Sequence, residues 1–360
     1  MPSADDKTRP LRNRRAALLL FIAAPIVAEL GISTPIRNAW LILLRLPMYG
    51  GGTVHIRELV ARTGRGWPSV IILGLAYELV EDGIGLQAVT SPRLYHAADW
   101  GGRLLGVNLP YWEINTIYHV IFTIAIPIAI VSLISPADRH RPYLGRPGLV
   151  VFALVFVIGV ALVRISVPPL EDPGYRAPSG FLLGVVLLIM VLGFVALRWA
   201  PTRRPSGVAE VAVPAPMWLA PVAAVATGVT IGAMFPLRVL GARQPSFTQG
   251  WWVLVPMILV AALCLVAIWA LSRWSGSALW SDLHMLALVV GALVGRMLIG
   301  IIVSSSLNVG GGPTPVDRVG QGVLLVLPVI LGPMAARRLR RRGRDTPAAD
   351  GPARPAVLRE

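Results

Sequence analysis

Apolar runs about as long as a helix needs to cross a bilayer recur along almost the whole chain, and no other feature constrains the fold as strongly. At 1.5 Å per residue, about 20 residues span the roughly 30 Å of hydrocarbon. The runs cover 16–34, 36–61, 67–85, 112–134, 147–167, 179–199, 217–237, 250–272, 282–304 and 318–336. They predict an all-α, polytopic transmembrane bundle of about ten helices. The alternating pattern of an outer-membrane barrel is absent. Composition agrees: 55% of residues are hydrophobic and 14% charged, against about 25% charged in soluble domains.

The formal charge of +15 does not indicate nucleic acid, because the basic residues sit in short loops and tails between apolar runs. Short cytoplasmic loops are enriched in Lys and Arg. With the N-terminus inside, the inner segments hold Lys7, Arg9, Arg12, Arg14 and Arg15, then Arg62 and Arg65, then Arg139, Arg141 and Arg146, then Arg198, Arg203 and Arg204, then Arg273 and the run "RRLRRRGR". The outer loops hold only Arg37, Arg93, Arg103, Arg176, Arg238, Arg243 and Arg318. The expectation is an even number of crossings with both ends inside. Tryptophans such as Trp40, Trp67, Trp100, Trp112, Trp199, Trp251 and Trp274 fall near proposed ends, where amphipathic rings anchor at the interface.

Cys264 is the only cysteine, so neither a disulfide framework nor a cysteine-based metal site is available. Lys7 is the only lysine. An arginine-dominated chain resembles high-GC bacterial usage, and the expected location is a bacterial cytoplasmic (inner) membrane. The basic start followed by "AALLLFIAAPIVAELGIS" reads as an uncleaved first helix rather than a signal peptide, since it lacks a clear small-x-small site before a hydrophilic chain.

Four segments differ in character. Residues 1–15 form a basic cytoplasmic N-tail; 16–146 form a four-helix module carrying Glu, Asp, His, Asn and Arg within its spans; 147–336 form a six-helix, mainly apolar module; and 337–360 form a basic C-tail expected to be disordered. Residues 201–217, rich in Pro and small side chains, read as a linker. The basic C-tail suits anionic lipid. No cofactor is expected.

Chemistry gathers in the first module. Glu78, Glu81 and Asp82, at i, i+3 and i+4, lie on one helical stripe. In the fourth span Asn115, Thr116, His119 and Thr123 fall within an arc of roughly 100°. Counted along the helices, Glu78 and Glu81 lie about 17 to 21 Å from the cytoplasmic start and His119 about 10 Å from the outside. Glu29, Arg45 and Arg296 come out at a similar level. Ionisable groups in hydrocarbon cost about 2.5 to 3.5 kcal/mol each even on the permissive scale. They should therefore converge on a polar chamber in the outer half of the membrane, with Arg45 and Arg296 as counter-charges and the 86–111 loop above. The competing reading ends the third span early and leaves the carboxylates solvated at the surface. For His119, a core histidine bonded to a neighbouring helix competes with a ligand.

"RLPMYGGGT" in the second span, with Pro47 and Gly50 to Gly52, reads either as a broken helix lining a binding site or as a kinked or closely packed one. His55, Glu58 and Arg62 share a face near the cytoplasmic end, where Glu58 and Arg62 pair at i, i+4. Arg164 is expected to snorkel outward. "GGGPTPVDR" at 310–318 reads as a loop.

"YGGGTVHIRELVARTGRGW", "AYELVEDG" and "YHVIFTIAIPI" together resemble an uncharacterised group of bacterial integral membrane proteins, over roughly the first 145 residues, with no activity implied. There is also an echo of the CAAX-protease and bacteriocin-processing family, whose membrane helices activate water with a Glu-Glu pair, His and Asn. That resemblance would put Glu81 and Asp82 in place of the pair, with Asn115 and His119 as partners. The family's Arg four residues after the pair, its Phe-x-x-x-His and its second histidine are missing. Three functions stay open: a transporter or permease with a site for a small molecule or ion formed by Glu29, Arg45, Glu78, Glu81, Asn115, His119 and Arg296; an intramembrane hydrolase or lipid-modifying enzyme with Glu81, Asp82 and His119 as catalytic groups; and a non-catalytic assembly or sensor protein. A divalent metal enters only with the enzyme.

Overall fold

The computed structural model describes residues 12–95, 101–202, 211–234, 250–307 and 312–345. Residues 1–11, Trp100, residues 203–210 of the 201–217 linker, Arg238, Arg243, the first two residues of 310–318 and residues 346–360 lie outside them. The described chain is all-helical but for one small hairpin.

In chain order the helices are α1 (Arg14–Glu29), α2 (Ile42–Arg62), α3 (Trp67–Glu78), α4 (Leu109–Tyr118), α5 (Ile126–Ile134), α6 (Arg146–Glu171), α7 (Ser179–Phe194), α8 (Pro216–Met234), α9 (Leu254–Trp274), α10 (Asp282–Leu307) and α11 (Pro315–Asp345). A π-helical segment, Leu79–Gly85, continues α3, and another, His119–Ala125, joins α4 to α5 into one rod. Each sequence-predicted span is met by a helical rod, but the ends differ: α1 stops at Glu29 rather than 34, with a turn over Leu30–Thr34, α11 runs Pro315–Asp345 rather than 318–336, and residues 235–237 of the seventh span lie outside the described residues. Seven rods are long and apolar enough to cross a membrane: Leu109–Ile134, Arg146–Glu171, Ser179–Trp199, Pro216–Met234, Gly250–Trp274, Asp282–Ser305 and Pro315–Arg342. The first three rods fall outside that set because α1 is short, α2 carries Arg45, Arg57, Glu58 and Arg62, and α3 with its π segment carries Glu78, Glu81 and Asp82.

Close helix contacts are made where side chains are smallest, as in membrane bundles generally. A Cβ on Gly50 would sit 2.2 Å from the Phe21 carbonyl oxygen, and one on Gly159 would sit 2.3 Å from the Met48 nitrogen. These glycines bring α2 against α1 and α6. The helix runs unbroken through Pro47 and the glycine triplet, so "RLPMYGGGT" is a packing surface rather than a break. The pair α8 and α10 makes the most extensive contact: Gly291 and Gly295, one turn apart, meet the backbone of Ala220 and Ala224, with Cβ approaches of 2.1 and 2.2 Å.

One end of the bundle is tied by a buried carboxylate. Glu58 accepts the Tyr143 and Leu144 N–H groups at 2.6 and 3.2 Å and pairs with Arg57 at 2.9 Å and Arg62 at 3.5 Å. The Glu58–Arg62 pair expected in the headgroup region is thus part of a buried anchor for the α5–α6 connection. Arg139 donates twice to Asp282 at 2.6 and 2.5 Å, joining that connection to α10. The helical part of "RRLRRRGR" extends α11 to Asp345, so residues 337–345 are helix rather than tail. Arginines near a helix C-terminus complement its dipole.

Residues 86–95 pack inward, with Leu86, Ala88, Val89 and Leu94 buried. They are pinned to the α6–α7 connection by Ser91 Oγ donating to Asp172 at 2.7 Å and by Ala177 N–H donating to Gln87 at 2.6 Å. The hairpin that follows pairs β1 (Arg103–Leu104) with β2 (Val107–Asn108). The Asn108 side chain then accepts the Tyr111 N–H at 3.2 Å and caps α4.

Candidate functional site

The two polar stripes meet at the two π segments. Glu78 ends α3, Glu81 and Asp82 lie on the π turn after it, and His119 opens the π turn between α4 and α5. A π turn widens the helix and shifts side chains off the α register, and such turns concentrate at functional sites. The i→i+5 pattern appears where Leu86 N–H donates to the Glu81 carbonyl at 2.8 Å. Gly74 permits the approach of the two rods: its Cβ position stands 3.2 Å from Val120.

One carboxylate oxygen each from Glu78 and Glu81 and one ring nitrogen of His119 lie within 4.8 Å of one another. His119 Nδ1 stands 3.3 Å from Glu81 Oε2, within ion-pair reach but without hydrogen-bond angles. The same nitrogen lies 2.9 Å from Thr123 Oγ1. Glu78, Glu81 and Asp82 are at most 1% exposed, so the alternative that left them solvated fails. The inward-packed 86–95 segment bonds to the backbone of the same turn, Leu86 N–H to the Glu81 carbonyl at 2.8 Å and Val89 N–H to the Asp82 carbonyl at 3.5 Å.

Buried carboxylate oxygens almost always have hydrogen-bond partners, yet both oxygens of Glu78, Oε2 of Glu81 and Oδ2 of Asp82 accept from no donor group; Glu78 instead faces the Asp82 carboxyl, a contact that only a shared proton or other cation closes. Aromatic rings form the wall: Tyr49, Tyr77 and Tyr118 lie 5.8, 6.4 and 5.7 Å from the His119 ring, centroid to centroid. The Tyr49 hydroxyl donates to Glu29 at 2.7 Å, and Glu29 also accepts from Thr34 at 3.3 Å and pairs with Arg45. Thr53 donates to the carbonyls of Tyr49 and Thr123 at 2.8 and 2.9 Å, holding α2 against the His119 turn.

Of the expected counter-charges, Arg45 makes its direct ion pair with the adjoining Glu29, while Arg296 bonds to neutral groups. Arg296 donates to the Tyr118 hydroxyl at 2.8 Å and the Ala28 carbonyl at 2.6 Å, so it serves the end of α1 and pairs with no carboxylate of the cluster. Arg164, half-buried, donates to the Ile84 carbonyl at 3.0 Å, an acceptor on the π turn. Asn115 donates to the Tyr111 carbonyl of its own helix at 2.9 Å and stands apart from the cluster.

Of the expected residues, Glu78, Glu81, Asp82 and His119 come together; Glu29 and Arg45 form an adjoining pair joined through Tyr49; Asn115 and Arg296 take structural bonds. Sequence reasoning missed Tyr49, Tyr77 and Thr53. The available signal was that a buried phenol needs a polar neighbour, and that Tyr77 directly precedes Glu78 while Tyr49 adjoins the glycine triplet. The π turns themselves left no such signal.

Set against profiles of protein families, curated proteins and solved structures, the chain finds no match.

Proposed function

We propose that the chain is a membrane protein of about ten crossings with both ends on the cytoplasmic side, that it acts in a bacterial cytoplasmic membrane, and that it handles a cation in permease-like fashion at the cluster of Glu78, Glu81 and His119. The arginine distribution and the match of the rods to the apolar runs support the topology. The basic end of α11, Arg337 to Arg342, suits contact with anionic lipid.

The observation that carries the function is Glu78, fully buried with neither oxygen accepting from a donor group. A bare carboxylate in such surroundings is too costly to persist. It is stable only when a cation, a proton or a metal ion, shares the site. Glu81 and Asp82 add demand of the same sign, and the nearby guanidiniums are committed to other acceptors. A site that binds and releases positive charge inside a membrane, under a packed 86–95 segment, is the core of a cation permease.

The test is flux in proteoliposomes. Wild-type protein should carry protons or a metal cation, and Glu78→Gln and Glu81→Gln should abolish that flux while leaving the protein folded. Wild-type vesicles that pass none of these cations would remove the reading. A second reading, an intramembrane hydrolase or lipid-modifying enzyme, draws on one specific contact: an imidazole held by Thr123 beside the Glu81 carboxylate, an arrangement suited to general base catalysis. It predicts turnover of a lipid or peptide substrate that His119→Ala eliminates.

A further inference from the structure

We infer that the cation at this site is a divalent transition metal of the Zn²⁺ or Mn²⁺ class, ligated by Glu78, Glu81 and the Nδ1 atom of His119. The inference rests on the cation-handling reading above and specifies its ligand.

The donor set is the first reason. Imidazole with two carboxylates suits first-row transition metals, whereas Mg²⁺ and Ca²⁺ sites are built from oxygen alone. Spacing is the second. Ligand atoms about 2.1 Å from a tetrahedral ion stand about 3.4 Å from each other, and His119 Nδ1 to Glu81 Oε2 is 3.3 Å. One oxygen each of Glu78 and Glu81 and a ring nitrogen of His119 lie within 4.8 Å of one another, so side-chain adjustments on the order of 1 Å close the shell.

The third reason is independent of the cluster's composition. Glu78 is a fully buried side chain beside the other two donors, its oxygens accept from no N–H or O–H donor, and its polar neighbour is another carboxyl, Asp82, so the pair needs a shared cation. Arg45 pairs with Glu29, Arg296 donates to Tyr118 and Ala28, and Arg164 donates to Ile84. Among the described residues, no guanidinium pairs with Glu78, Glu81 or Asp82. A divalent ion balances the two ligating carboxylates, and Asp82, one turn on from Glu78 and equally buried, completes or supports the shell. The surroundings favour retention, since the tyrosine wall and the 86–95 segment keep bulk water from competing for the ion. Thr123 would give up its contact with Nδ1 on metal binding and keep its backbone bond with Thr53.

The experiment uses the purified full-length protein in detergent, stripped with a chelator, dialysed against Zn²⁺ or Mn²⁺ alone, and assayed for metal by elemental mass spectrometry. Wild-type protein should retain one ion per chain with excess Mg²⁺ present. Glu78→Gln, Glu81→Gln and His119→Ala should each weaken retention at least tenfold. Glu113→Gln, a half-buried carboxylate on α4 outside the cluster, should leave it unchanged. Because the cluster variants can misfold, the wild-type protein loaded with Zn²⁺ is also examined by X-ray absorption, where one imidazole among oxygen ligands is expected. Wild-type protein that retains no ion, retention unchanged in folded His119→Ala, or an absorption shell without imidazole would each overturn the inference. Metal-free protein whose cation flux still requires Glu81 would discard the metal and keep the permease with the proton as its cation. One ion per chain without flux of any cation would keep the metal and discard the permease.

Discussion

The rod formed by α4 and α5 and the rods of α6, α7 and α11 are all apolar enough to cross a membrane, yet they occupy opposite environments. In its most apolar window the α4–α5 rod is 72% buried, whereas α6, α7 and α11 are 11% buried. The helix wrapped by protein is the one carrying Asn115, His119 and Thr123. Within their apolar windows the helices left outside are mostly Leu, Val, Ala, Ile and Gly, with Ile165, Leu183 and Val319 among many exposed apolar side chains. In a soluble protein the order would be reversed. Lipid solvates leucine as well as a protein interior does, so apolarity supplies little force to bury a helix. The cost of polar groups in hydrocarbon sends the polar helices to the middle.

This contrast can be broken most directly at Glu58. Glu58→Ala removes the acceptor for Tyr143 and Leu144 and leaves buried Arg57 without its partner, so a loss of about 3 to 5 kcal/mol is expected, read by denaturant unfolding in mild detergent. A loss below 1 kcal/mol would mean that the polar interior adds little cohesion. The next largest effect belongs to helix crossings. Gly50→Val places a methyl-bearing carbon against the Phe21 carbonyl and should cost about 1 to 3 kcal/mol. Gly193→Val on α7, where nothing lies within 4 Å of the added carbon, should stay within about 0.5 kcal/mol. Equal losses at the two glycines would contradict the assignment of α7 to the lipid-facing layer.

The smallest effect is expected at the seam between the two regions. Arg139 and Asp282 make a two-pronged bond, but their side chains are 24% and 29% exposed. Solvent-screened pairs of this kind contribute under about 1 kcal/mol. Arg139→Ala should therefore shift the unfolding midpoint only slightly, and a double-mutant cycle with Asp282→Ala would measure the coupling. A coupling above 2 kcal/mol would show that the seam is shielded, making the division between the regions less sharp.

The site was partly legible before any coordinates. Placing Glu78, Glu81 and His119 at one depth needed only the helical rise, and the expense of charge in hydrocarbon predicted that they meet. The counter-charges were not legible, because depth says nothing about azimuth. Arg45 and Arg296 share a level with the carboxylates, but one faces Glu29 and the other a tyrosine hydroxyl and a backbone carbonyl. The glycine triplet was ambiguous for a related reason: a missing side chain signals either a broken helix or a close neighbour, and only the position of Phe21 separates the two.

The linear order of residues by itself determined that the chain is helical, roughly where its apolar rods lie, and which residues are too costly to face lipid, because each of these follows from local length, period and transfer energy. Only the tertiary structure decided which rods lie inside, that two π turns aim Glu78, Glu81 and His119 at each other, and that Arg296 serves a helix end. Those outcomes depend on rotations about helix axes and on contacts between residues far apart in sequence, which no local energy specifies.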